Sequence, residues 1–175
     1  MKAIPLPVVL GFALLLAGCG FHPLYAVPGG AHGQMQHRLQ SIYVEPAPES
    51  LGYELRNQLI DLIDGAATPA NAVYRVSLSL AEKQDAIGVQ SQKVGALTQT
   101  AITRYNDQLI VEYELSDAKT GAILTKGTET GLSSYNVLSS PYATLMARQD
   151  ADRRSADDIA DRIRIALAAY FAQKQ

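Results

Sequence analysis

Apolar and polar residues alternate with different periods along the chain, and each change of period predicts an element. Ala3 to Leu16 is an almost unbroken apolar run behind Met1 and Lys2. About fourteen apolar residues are too few for the ~30 Å hydrocarbon core of a bilayer, and they suit the core of a secretory signal. Phe21 to Gln36 has neither helical nor strand period and is broken by Pro23, Pro28 and Gly29-Gly30, which predicts a tether. Alternation from Leu39 to Val44, ended by Pro46 and Pro48, predicts a first strand. Leu51, Leu55, Leu59, Leu62 and Ile63 then recur at helical spacing, with Ser50 placed as cap and Gly65 as stop. Tyr74, Val76, Leu78 and Leu80 alternate with Arg75, Ser77 and Ser79, the pattern of a half-buried strand.

The pattern weakens between Glu82 and Gln99, a polar stretch containing Gly88 and Gly95. A long loop and an extension of two strands both fit it. Leu109, Val111, Tyr113 and Leu115 mark a third strand that begins near Ala101. Asp117 to Gly121 (Asp-Ala-Lys-Thr-Gly) reads as a hairpin turn, with glycine where positive φ is needed. A fourth strand follows from Ala122 to about Tyr135, rich enough in Ser and Thr to predict one wet face. Ser140-Pro141 opens a last helix as cap and first-turn proline. Its stripe is Ile159, Ile163, Ala166, Leu167 and Tyr170, and its outer pairs are Asp150/Arg154 and Asp158/Arg162. The order β-α-β-β-β-α predicts an α/β fold of the α+β sandwich type. It has a four-stranded mixed sheet, a parallel first crossover, antiparallel hairpins and two helices on one face.

Composition removes several function classes. The chain has 175 residues, 47% of them hydrophobic and 18% charged, which suits one folded domain. Fifteen Lys and Arg against 17 Asp and Glu give a formal charge of −2, without the basic surplus of a nucleic-acid binder. A single cysteine builds neither a disulfide nor a thiolate zinc site. His32 and His37 flank Met35 in the expected tether with no thiol or carboxylate beside them, so no metal centre is expected. Nucleophile-elbow, phosphate-loop and dinucleotide motifs do not occur. Asp157, Asp158 and Asp161 stand beside Arg153, Arg154, Arg162 and Arg164 as a solvated helix face, and Asp61 and Asp64 take outer positions of the first helix. No enzyme and no catalytic residue are expected.

Leu16-Ala17-Gly18-Cys19 is similar to the lipobox of bacterial lipoproteins. The resemblance implies cleavage before Cys19, a diacylglycerol thioether on its sulfur and a further acyl chain on its new amino group. No other cofactor is expected. At ~0.8 kcal/mol per buried methylene, three chains hold a protein on a membrane essentially permanently. Gly20 stands where Asp retains some lipoproteins in the inner membrane, so the expected location is the outer membrane. The expected division is residues 1–18 as signal peptide, 19–37 as lipidated N-terminus and tether, and 38–175 as a single domain.

The segment from Leu16 through Cys19-Gly20-Phe21-His22-Pro23-Leu24-Tyr25 resembles the start of alphaproteobacterial lipopolysaccharide (LPS) assembly lipoproteins, the LptE family. The likeness continues through Asp117 to Gly121, Ser134-Tyr135-Asn136-Val137, Ser140-Pro141-Tyr142-Ala143 and Asp158 to Ile163, in order along nearly all of the processed chain. It implies the small partner of the outer-membrane LPS-transport β-barrel (LptD-like), a plug that helps the barrel assemble and contacts LPS. Lipid A phosphates call for charge-assisted bonds from basic side chains. The candidates are Lys83, Lys93, Arg104 and Arg148, the second and fourth resembling basic positions of relatives. Two other classes compete: an accessory lipoprotein of an ABC-type lipid transporter, and a lipid-anchored hydrolase using Asp157, Asp158 and Asp161. The protein retained by the anchored chain, a barrel or an ATPase, separates the first from the barrel partner.

Overall fold

The computed structural model describes residues 31–174 apart from 67 and 95–96; the expected signal peptide and Cys19 lie outside the described residues. The elements are α1 (Ala31–Gln40), β1 (Ile42–Val44), α2 (Glu49–Ile63), β2 (Tyr74–Val94), β3 (Leu97–Asp117), β4 (Ile123–Asn136) and α3 (Pro141–Ala172). The strands lie in the order β1-β2-β3-β4, β1 parallel to β2 and the other pairs antiparallel. The parallel pair follows from chain direction: α2 carries the chain back so that β2 runs alongside β1 in the same sense.

Alternation assigns the two faces of the sheet. Val76, Leu78, Leu109, Val111, Tyr113 and Leu115 are buried against Leu55, Leu59 and Ile63 of α2 and Ile159, Ile163, Leu167 and Phe171 of α3. Burying each such side chain contributes about 1.5–3 kcal/mol, so these two stripes hold the helical layer to the sheet. α3 contributes this stripe only from Ala151 onward; in its first turns Tyr142, Leu145 and Met146 are exposed. Ser140 Oγ accepts from the Ala143 N–H at 3.4 Å, with Pro141 as the first helical residue.

Three local expectations are corrected. Residues 31–37, read as part of the tether, are helical, and Leu39 lies in the last turn of that helix rather than opening a strand. The anchoring is tertiary: Leu39 is buried in the core, Met35 packs on it, and Arg38 donates to the Phe171 carbonyl at 3.3 Å with its guanidinium over that ring. α1 is thus a third helix beside the two expected. Ser50 lies inside the first turn of α2, whose cap position is Pro48. The stop is Asp64 in the left-handed conformation (φ 51, ψ 47), one residue before Gly65; its carboxylate accepts from Gln40 Nε2 at 2.8 Å.

The polar stretch from Glu82 to Gln99 belongs to the two strands, not to a loop. The β2–β3 ladder continues from Tyr74 opposite Asp117 to Val94 opposite Leu97, with register shifts around Gly88. β4 ends with Asn136 opposite Arg104, so the ladder beyond that point is a two-stranded ribbon. The ribbon exposes Ile87, Val89 and Ile102. The expected hairpin turn is formed by Asp117 Oδ1, which accepts the N–H groups of Lys119 and Thr120 and the Thr120 hydroxyl at 2.8–3.0 Å. Gly121 follows at φ +71.

Candidate functional site

The helix-facing surface of the sheet changes character where the ribbon begins. Along β2 the inward series Val76, Leu78, Leu80 continues as Glu82 and Gln84; along β3 the inward series, followed back from Val111 and Leu109, continues as Asp107. Ser133 lies opposite Asp107, and Tyr135 opposite Tyr105, on β4. The first half of α3 brings Arg148 and Asp152 to this polar row.

Glu82, Asp107 and Asp152 each bring a carboxylate oxygen to within 4.8 Å of the other two. Arg148 stands among them, its Nη2 2.8 Å from Glu82 Oε1 and its Nε 3.8 Å from Asp152 Oδ2. Asp107 is 3% exposed, and neither of its carboxylate oxygens has a hydrogen-bond partner. Burial, then Glu82 and Asp107, push the Asp152 carboxyl up to about 6 against the opposing pull of Arg148. On the neighbouring strand Gln84 Nε2 donates to the Tyr135 hydroxyl at 2.9 Å, and Tyr135 stacks on Tyr105 at 5.6 Å. Burial and the Asp107 charge hold the Tyr135 hydroxyl above its usual range. A groove of about 490 Å³ between α2 and α3 opens onto Glu82, Arg148 and Asp152, and the Glu54–Arg153 pair (3.2 Å) lies along it.

The four basic candidates do not converge. Lys83 and Arg104 belong to the sheet face away from the helices; Lys83 pairs with Asp85 at 3.1 Å, and Arg104 donates to Ser134 Oγ at 2.6 Å. Lys93 is exposed on the ribbon, ten residues or ~33 Å along β2 from Lys83. Arg148 lies on the helical side, inside the acidic cluster. Asp158 and Asp161 pair with Arg162 and Arg164, in keeping with a solvated face. Sequence reasoning missed Glu82, Asp107 and Asp152. The available signal was phase: Asp107 occupies an inward position two residues before Leu109, where an apolar side chain is the norm.

The opposite sheet face carries Ser77, Ser79, Glu112, Glu114, Lys126 and Thr128. The fold is therefore that of a two-layer α/β domain with a polar sheet face turned away from its helices. Residues 39–167 match the lipopolysaccharide-assembly family LptE, and the chain belongs to that family. A crystal structure of a lipoprotein from Caulobacter crescentus is 32% identical, with a TM-score of 0.66 over 81% of this chain and 98% of that one. A minor lipoprotein from Acinetobacter baumannii, 18% identical, shares the fold with a TM-score of 0.50 over 73% of this chain and 88% of its own. No curated protein sequence matches the chain. Family membership assigns the chain to lipopolysaccharide assembly in the cell envelope. Among the described residues no helix is long and apolar enough to cross a membrane.

Proposed function

We propose that the protein is an outer-membrane lipoprotein, held by the acyl chains of Cys19, that plugs the LPS-transport β-barrel, helps it assemble and contacts LPS in transit. The observation that carries this reading, given the family, is the polar sheet face with its projecting ribbon. Transmembrane barrels have polar interiors, so a surface that bears Ser, Thr, Glu and Lys, with Leu132 exposed among them, suits enclosure there. Lys83, Lys93 and Arg104 are exposed and offer charge-assisted bonds to lipid A phosphates; Arg148 is a fourth donor once it leaves Glu82.

Depletion of the protein is expected to reduce both heat-modifiable mature barrel and surface LPS. Normal levels of both in depleted cells would refute the reading. Mass spectrometry of the purified chain should find Cys19 triacylated at a new N-terminus. Charge reversal of Lys83, Lys93 and Arg104 together is expected to weaken LPS binding while the barrel still co-purifies. Reversal at Arg148 is a poorer probe, because Arg148→Glu adds a fourth carboxylate to the acidic cluster.

A further inference from the structure

We propose that Glu82, Asp107 and Asp152 form a binding site for a divalent cation of the calcium type. Three elements contribute one carboxylate each: Glu82 from β2, Asp107 from β3 and Asp152 from α3. The three oxygens lie within 4.8 Å of one another, close enough for a single ion with Ca–O bonds of ~2.4 Å to touch all three. Three carboxylates from three separate elements suit the flexible, carboxylate-rich coordination of calcium better than magnesium, which keeps several of its waters and takes one or two carboxylates.

The second, separate observation is the state of Asp107. Its carboxylate is almost wholly removed from solvent, has no donor on either oxygen, and faces the two other acids. An isolated buried carboxylate is costly unless it is paired or ligates a metal. Arg148 satisfies Glu82 and reaches Asp152, and it makes no hydrogen bond to Asp107. Three carboxylates against one guanidinium leave a charge of about −2, which one divalent ion neutralises. The groove between α2 and α3 supplies the entry path and room for water ligands. Occupancy takes Glu82 and Asp152 away from Arg148, so the ion and the guanidinium compete for the same oxygens. Calcium binding at this cluster requires neither the barrel nor LPS.

The test is calorimetric titration of the full chain, extracted in non-ionic detergent and stripped with EDTA, with CaCl2 and separately with MgCl2. One calcium per chain is expected, with magnesium at least tenfold weaker and the melting temperature raised by several degrees at saturation. Asp107→Asn and Asp152→Asn should each weaken calcium at least tenfold, and Arg148→Gln, which removes the competing cation, should tighten it. Glu82→Gln, at a more exposed position, gives the same reading if the Asp variants do not fold. Asp158→Asn, on the outer face of α3, should change nothing. The proposal is overturned by the absence of saturable calcium binding or by a magnesium preference. It is equally overturned by affinity that survives in all the carboxylate variants, or by weaker binding in Arg148→Gln. Stabilisation by Asp107→Asn that is the same in EDTA and in calcium would mean that the buried acid holds a proton instead, which also overturns it.

Discussion

Arg148 of α3 and Glu82 of β2 meet at 2.8 Å although 66 residues separate them in sequence. The contact joins the helical layer to the sheet at the point where the apolar core gives way to the ribbon. An exposed ion pair contributes about 0–1 kcal/mol. Arg148 does more than make one pair, because it also stands beside Asp152 and moderates a group of three acids. Arg148→Ala is therefore expected to lower stability by about 1–2 kcal/mol, between the surface and buried limits. Urea denaturation in EDTA at neutral pH measures it. The same substitution in an Asp152→Asn background should cost less, and equal costs in both backgrounds would contradict the coupling.

Asp152 gives the cluster a pH signature. Its folded-state pKa is raised from 3.8 to about 6, burial being the largest cause. The folded chain therefore binds this proton more tightly than the unfolded chain. The resulting stabilisation is present below about pH 4, is lost as pH rises through about 6, and is of order 2–3 kcal/mol. Other carboxylates titrate in the same range, so the informative quantity is the difference between wild type and Asp152→Asn, both in EDTA. The wild type should gain stability relative to the variant as pH falls from 7 to about 4. Parallel profiles would remove Asp152 as the source.

The parts of the fold legible in sequence are those where burial is one-sided. Tyr74 to Leu80 and Leu109 to Leu115 each press one face on the helices and leave the other in water, so a period of two is written into them. The late stripe of α3 and the Asp117 turn are legible for similar local reasons. The ribbon is not, because its described residues are exposed on both faces and no burial imposes a period between Glu82 and Thr103. α1 is hidden because its anchoring rests on few residues, chiefly Met35 and Leu39, inside a Gly- and His-containing stretch. The acidic cluster is hidden for a third reason. Its members come from three elements, and only Glu82 and Asp107 break a local pattern.

Gly131 sets the distance between α3 and β4. A Cβ at that position would lie 2.9 Å from Ile159 Cδ1 and 3.2 Å from the Ser155 carbonyl, so the helix backbone rests almost on the strand. Gly131→Val should force α3 outward and cost about 1–3 kcal/mol, the usual range for overpacking. Combining it with Ile159→Val, which trims the opposing side chain, should cost less than the two single changes added together. Denaturation of the four proteins supplies the cycle. Strict additivity would show that Ile159 does not oppose Gly131.

Gly88 is where the ribbon departs from the regular ladder. The register slips on both sides of it, and a Cβ there would strike the Thr103 hydroxyl and come within 3.0 Å of Arg104 Cβ and 3.1 Å of the Arg104 nitrogen. Two strand backbones approach this closely only where one residue lacks a side chain. Gly88→Val should therefore disrupt pairing beyond the slip, between Val89–Val94 and Leu97–Ile102, without touching the core built on Val111 and Leu115. Little apolar area is buried in the ribbon, so global stability should change by less than about 1 kcal/mol. Amide exchange of the ribbon should accelerate at least tenfold while that of Val111 and Leu115 stays fixed. Faster exchange at Val111 and Leu115 as well would mean that ribbon and core open together, as one cooperative unit.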